Sequence, residues 1–164
     1  GNKQIAKNQI IEMPSLMNQL FDDAQAYNVD YGHTLNLDID SHCDLIGSDI
    51  ELASAFSNLI SNAIKYTPKG GTVTIGWHDD GEHGYFTVED TGIGIDPKHL
   101  PRLTERFYRV DSARSRQTGG TGLGLAIVKH VLMQHNAYLE IDSEENKGST
   151  FRVVFPKERL YMHE

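Results

Sequence analysis

Asn58, Asn62 and Lys65 recur four and three residues apart in a stretch, Ile50 to Tyr66, that is otherwise apolar at helical spacing. At about 100° per residue they share one stripe, well away from the face formed by Leu52, Ala55, Phe56, Leu59, Ile60, Ala63 and Ile64. Amide oxygens can ligate a hard cation such as Mg2+, which is normally shared with substrate phosphates, and the ammonium adds charge for those phosphates. A solvated polar face has the same pattern, and for this stripe alone it is the commoner explanation. A second group, Asp90-Thr91-Gly92-Ile93-Gly94, follows directly on a strand pattern and puts a carboxylate at a strand end beside backbone loosened by two glycines. That carboxylate can accept from an exocyclic amine, although an ordinary Asp-Gly turn reads alike. Third, Gly119-Gly120-Thr121-Gly122-Leu123-Gly124-Leu125 leads into a helix, where backbone N–H groups behind glycines make a phosphate cradle. It is neither a Walker loop, which ends in Gly-Lys-Ser/Thr, nor a dinucleotide fingerprint, whose last glycine would fall at Leu125. Between the glycine clusters, Arg102, Arg106, Arg109, Arg114 and Arg116 mark a local anion site. The competing reading, a solvated arginine run, stays level for Arg102 and Arg114; function is favoured for Arg109, next to Tyr108.

These groups need elements to hold them. Pro14 suits a first helical turn, and Leu16, Leu20, Ala24 and Tyr27 continue a helix to about Asn28. Leu35, Leu37 and Ile39 alternate with polar residues and Asp44-Leu45-Ile46 follows a short turn, so two short strands are expected before Gly47, as a hairpin or neighbouring pair. Ser48, with Glu51 three residues on, caps the helix that carries the amide stripe, and Pro68-Lys69-Gly70-Gly71 ends it. Val73, Ile75 and Trp77, the turn Asp79-Asp80-Gly81, and Tyr85 to Val88 read as a β-hairpin. A helix from about Leu123 to His135 and a closing strand pair, Tyr138 to Ile141 and Thr150 to Phe155 around Asn146-Lys147-Gly148, complete an α+β arrangement. The segment from Asp90 to Thr121 fits neither periodicity and is read as the site loop.

The 164 residues suit one domain, and 38% hydrophobic content supplies a core. A formal charge of −8, from 15 basic and 23 acidic residues, argues against nucleic-acid partners and direct membrane contact. The one cysteine, Cys43, excludes an internal disulfide and fits a reducing, cytoplasmic setting. No apolar run approaches the roughly 20 residues that cross a bilayer.

Taken in order, the segments resemble the sequence boxes of bacterial sensor histidine kinases. Asn58 to Tyr66 resembles the N box, Asp90 to Gly94 the first glycine box, Glu105 to Asp111 the phenylalanine box, Gly120 to Leu125 the second glycine box, and Lys147-Gly148-Ser149-Thr150-Phe151 the last. The similarity runs from about Pro14 to Pro156, and the stretch 101–120 is most similar to the phosphate-regulon branch of that family. The resemblance implies the ATP-binding fold shared with gyrase, MutL and Hsp90 (GHKL, or Bergerat): a two-layer α/β sandwich with helices on one face of a mixed, mainly antiparallel sheet and a mobile lid over ATP. It implies an ATP-binding unit at 14–157, with 1–13 as upstream linker and 158–164 as a tail. Carried over, Asp90 binds the adenine amino group, Gly92 and Gly94 let the base approach, and Asn58 and Asn62 hold Mg2+. Lys65 and Arg109 meet phosphate oxygens. Tyr66, Ile95, Tyr108, Leu125 and Thr150 border the nucleotide, Phe107 helps position the lid, and Gly120, Thr121, Gly122, Leu123 and Gly124 wrap the phosphates. The chemistry implied is phosphoryl transfer by positioning and charge neutralisation.

The acceptor histidine of that family sits on an upstream helix before an acidic residue and an Arg-Thr-Pro-like turn, and no histidine here has that context. His33, His42, His78, His83, His99, His130, His135 and His163 are all read as surface or packing residues, and their spacing forms no zinc motif. The expected partners are therefore a separate dimerisation and phosphoacceptor domain of the same kinase and a downstream response regulator, with this chain itself a monomer in the cytoplasmic part of an inner-membrane sensor. An ATP-gated clamp and a nucleotide sensor without transfer are the alternatives.

Overall fold

The computed structural model describes residues 8–92, 123–144 and 146–163. Among these residues eight strands and three α-helices follow in the order β1 (Gln9–Ile11), α1 (Met13–Tyr27), β2 (Thr34–Ile39), β3 (Asp44–Gly47), α2 (Asp49–Tyr66), β4 (Thr72–Asp79), β5 (His83–Asp90), α3 (Leu123–Gln134), β6 (Tyr138–Glu144), β7 (Gly148–Pro156) and β8 (Leu160–Tyr161). Two of the helices start as their sequences dictate. Pro14 stands in the first turn of α1, where its missing N–H costs nothing. Ser48 caps α2, its hydroxyl accepting from the Glu51 N–H at 3.2 Å.

Five strands form one sheet in the order β2-β4-β5-β7-β6, with β2 and β4 parallel and the other neighbours antiparallel. The helices supply the second layer. Between the layers lies a core in which Phe56 of α2 stacks on Phe86 of β5, ring centroids 4.0 Å apart, and Phe155 of β7 meets both Phe56 and Trp77 edge-on. The buried face of α2 consists of Leu52, Ala55, Phe56, Leu59, Ile60, Ala63 and Ile64, the set the helical period predicts.

The expected pairing of Leu35–Ile39 with Asp44–Ile46 is corrected. β2 pairs in parallel with β4, Leu35 opposite Val73 and Ile39 opposite Trp77, whereas β3 joins a separate three-stranded sheet in the order β1-β3-β8. Alternation of apolar residues encodes the face a strand buries and not its partner. Here the chain leaves β2, forms β3, and returns through α2, the kind of helical crossover that parallel strands require. The small sheet ties the flanks together: Ile11 pairs with Leu45, and Leu45 pairs with Leu160. The buried Asp44 carboxylate accepts the Met13 N–H at the start of α1 (2.8 Å) and contacts His163 Nε2 (2.7 Å). No helix among the described residues is long and apolar enough to cross a membrane.

Candidate functional site

β5 buries Gly84, Phe86 and Val88, and Asp90 continues that row, so the strand delivers its terminal carboxylate to the helix-covered face. Asp90 Oδ1 accepts the Gly92 N–H at 2.8 Å. Burial pushes the Asp90 carboxyl above its ordinary range; N–H groups of Gly92 and Ser149 pull in the opposite direction but do not cancel it. A carboxylate so placed gains from any ligand N–H brought to it.

Two glycines let the chain pack closely around Asp90. A Cβ on Gly92 would lie 2.7 Å from Asp90 Oδ1 and 3.2 Å from the Tyr66 carbonyl oxygen, so the chain after Asp90 passes directly against the C-terminal end of α2. Gly148, at φ +131°, has its backbone against Asp90, and a Cβ there would overlap the Asp90 carbonyl oxygen and sit 3.0 Å from Thr91 Cα. Gly148→Ala is therefore expected to cost about 2 kcal/mol from left-handed strain and overlap. Its thermal midpoint should fall by roughly 4–8 °C. A melting curve within 1–2 °C of wild type would contradict that packing.

The C-terminal half of α2 carries Asn58, Asn62, Lys65 and Tyr66, all half-buried and off the core face. Asn58 and Asn62 are one turn apart, about 6 Å along the axis, and among the described residues neither side-chain amide has a hydrogen-bond partner. Two unengaged amide oxygens on one stripe fit a hard cation that completes its shell with phosphate and water. The helix end is held by Thr67, whose hydroxyl donates to the Ala63 carbonyl (2.7 Å), and by His33, whose Nε2 bonds the Ile64 carbonyl (2.8 Å). Asp90, Gly92 and the far end of the amide stripe thus share one region.

α3 opens with Leu123 and Gly124, the end of the glycine-rich run, and buries Leu125 in the core. At its other end the fully buried His135 accepts the Ser48 N–H through Nε2 (3.0 Å) and bonds the Val131 carbonyl through Nδ1 (2.8 Å), which fixes the Nδ1–H tautomer. Gly47 admits this ring, since a Cβ there would come 2.6 Å from His135 Cδ2. The C-terminus of α3 is therefore locked to the N-terminus of α2. α3 packs along α2.

Thr150, expected beside the nucleotide, is not brought to this region. Strand alternation turns it to the opposite face of the sheet, where its hydroxyl lies 3.4 Å from Glu89. Its neighbour Ser149 is buried opposite Asp90, and Ser149 Oγ lies 2.9 Å from Ser143 Oγ. The alternation from Phe151 and Val153 already marks Ser149 as the inward residue. Gly94, Ile95, Phe107, Tyr108, Arg109, Gly120, Thr121 and Gly122 lie outside the described residues, as does most of the expected site loop.

Residues 47–159 match the sequence profile of the histidine kinase-, DNA gyrase B-, and HSP90-like ATPases. The chain is 55% identical over 148 residues to the phosphate regulon sensor protein PhoR of Pseudomonas aeruginosa, covering 90% of this chain and 33% of that protein. It is 46% identical over 146 residues to its Haemophilus influenzae namesake, covering 89% and 34%. It spans about a third of the length of these curated relatives. Among solved structures, the mycobacterial sensor histidine kinase MprB superposes with a TM-score of 0.79 at 29% identity, over 90% of this chain and 97% of that one.

Proposed function

Because this chain belongs to the histidine kinase-, DNA gyrase B- and HSP90-like ATPase family, as the ATP-binding catalytic domain of a sensor histidine kinase, we propose that it binds ATP with Mg2+ and donates the γ-phosphoryl group to a histidine on a separate dimerisation and phosphoacceptor domain. The observation that carries this reading is the contact of Gly92 with the end of α2, which joins a buried carboxylate suited to an exocyclic amine to a stripe of amides and an ammonium suited to a metal-bound triphosphate. In this reading the ATP-binding unit is 14–157, flanked by linker at 1–13 and a tail at 158–164.

Each residue has a part. Asp90 accepts from the adenine amino group, Gly92 and Gly94 let the base approach, and Gly148 lets the β7 backbone close against Asp90, with Ser149 opposite it. Asn58 and Asn62 hold Mg2+, whose charge offsets that gathering on the phosphate oxygens when it is bound. Lys65 and Arg109 steady the phosphates, and the run from Gly120 to Gly124 gives backbone N–H groups at the start of α3. The protein works by positioning, with the acceptor imidazole attacking γ-phosphorus as the bond to the β-phosphate oxygen breaks and ADP leaves. The likeness to PhoR supports a place in phosphate-starvation signalling, in the cytoplasmic portion of a membrane sensor, with a response regulator downstream and this domain alone a monomer.

The test mixes the chain with γ-labelled ATP, Mg2+ and a separately produced acceptor hairpin from its parent kinase. Label on the hairpin histidine is expected, with little on this chain alone. ATP binding without transfer at any hairpin concentration would overturn the kinase reading, and nucleotide-dependent dimerisation in light scattering would identify an ATP-gated clamp.

A further inference from the structure

The face of the large sheet turned away from the helices is polar, and a cavity of about 380 Å3 opens on it, bordered by Asp38, His78, Tyr85, Thr87, Glu89 and Arg152. Thr150, which strand alternation turns away from Asp90, borders it too; none of the other six was expected at the nucleotide site. At the β2–β4 margin of the cavity three ligand-bearing side chains converge. One carboxylate oxygen each from Asp38 and Asp40 and a ring nitrogen of His78 lie within 4.8 Å of one another, and His78 Nδ1 is 2.8 Å from Asp40 Oδ1.

The backbone holds this group in place. The parallel register sets Asp38 opposite Gly76 and Ile39 opposite Trp77, and the Asp40 N–H extends the ladder by donating to the Trp77 carbonyl at 3.1 Å. Asp38 and Asp40 are two apart on one strand, so both face the same side, and His78, two residues after Gly76, faces it from the neighbouring strand. Gly76 gives the ring its room. A Cβ at that position would overlap His78 Nε2 and lie 2.6 Å from Thr87 Oγ1. With glycine there, the imidazole lies over the strand with Nδ1 toward the carboxylates.

We propose that Asp38, Asp40 and His78 form a binding site for a divalent transition-metal ion of the Zn2+ class. One imidazole nitrogen with two carboxylate oxygens is a donor set for such an ion, whereas Mg2+ and Ca2+ take oxygen ligands. Two ligands about 2.0 Å from a tetrahedral Zn2+ stand about 3.3 Å apart, so His78 and Asp40 need to separate by only about half an ångström to admit it. Three protein ligands leave a fourth position for water or for a group presented by a second molecule. Without metal, the same contact is a half-exposed polar contact on the surface, which contributes little to stability. Loss of these ligands therefore leaves folding intact, and the site is independent of ATP binding.

The experiment titrates Zn2+ into the metal-stripped, nucleotide-free chain against a chromophoric chelator, with Co2+ absorption as a second readout. One ion per chain is expected, bound equally well with excess Mg2+ present. His78→Ala and Asp38→Asn should each weaken binding by about tenfold or more, as even outer-shell losses do at metal sites, with unchanged metal-free thermal midpoints. Wild-type affinity in His78→Ala, binding spread over the other histidines, or no binding above that of the variants would each overturn the proposal.

Discussion

Asp90→Asn is expected to weaken ATP binding by about 10- to 150-fold while leaving the thermal midpoint unchanged or higher. The binding loss follows from replacing a charged acceptor by a neutral one that also turns a donor toward the adenine amine. A hydrogen bond to a charged group contributes about 1.5–3 kcal/mol, which corresponds to that range of affinity. The opposite sign for stability follows from burial. The Asp90 carboxyl sits above its ordinary value in the folded chain, so its contribution is fully present at pH below the unfolded value of 3.8 and is lost as pH rises through the folded value. Once the pH is above the folded value the burial penalty is fully felt, and Asn removes it while still accepting the Gly92 N–H. Melting curves from acid to neutral pH should show wild type falling relative to the variant. Titration with a fluorescent ATP analogue gives the affinity, and a change of less than threefold would remove Asp90 from the adenine site.

Asn62→Ala is expected to lower phosphoryl transfer to the acceptor hairpin by roughly a hundredfold or more, about 2.7 kcal/mol of transition-state stabilisation. The loss should shrink when Mg2+ is raised, because the missing amide oxygen weakens the hold on the metal rather than on adenine. Metal-free ATP should bind nearly as before. Stability should hold or rise slightly: Asn62 is off the core face, no described residue bonds its amide, and Ala is the better helix former by about 0.5 kcal/mol. Initial rates across a Mg2+ series, with a melting curve alongside, test both halves. Transfer within threefold of wild type at low Mg2+ would show that Asn62 does not hold the metal.

The two variants probe the ends of one site, and what couples those ends was only partly legible from residue order. Helix α2 was fully specified by sequence, from the Ser48 cap through the buried row Leu52 to Ile64 to the amide stripe, because capping and the 3.6-residue period are local properties of the chain. The β4–β5 hairpin and the β6–β7 pair were equally local, each joined by a short turn with backbone at positive φ, Gly81 in one and Asn146 and Gly148 in the other. The membership of the chain in its ATPase family was carried by the order of the boxes themselves.

Pairings across long separations were decided by tertiary structure. β2 lies beside β4 and β3 between β1 and β8, because a strand's partner is chosen by which faces the folded helices leave to cover. The same physics separated Ser149 from Thr150, adjacent in sequence but on opposite faces of β7. Tertiary structure also locked His135 to the cap of α2, 87 residues away, and set His78 against Asp40 across two parallel strands. The amino-acid sequence alone determined the local elements and the chemical inventory of the proposed nucleotide site. Which of those groups meet, and which others meet where no motif announces them, was fixed by non-local burial, since contacts between distant residues form only when the layers close over a shared core.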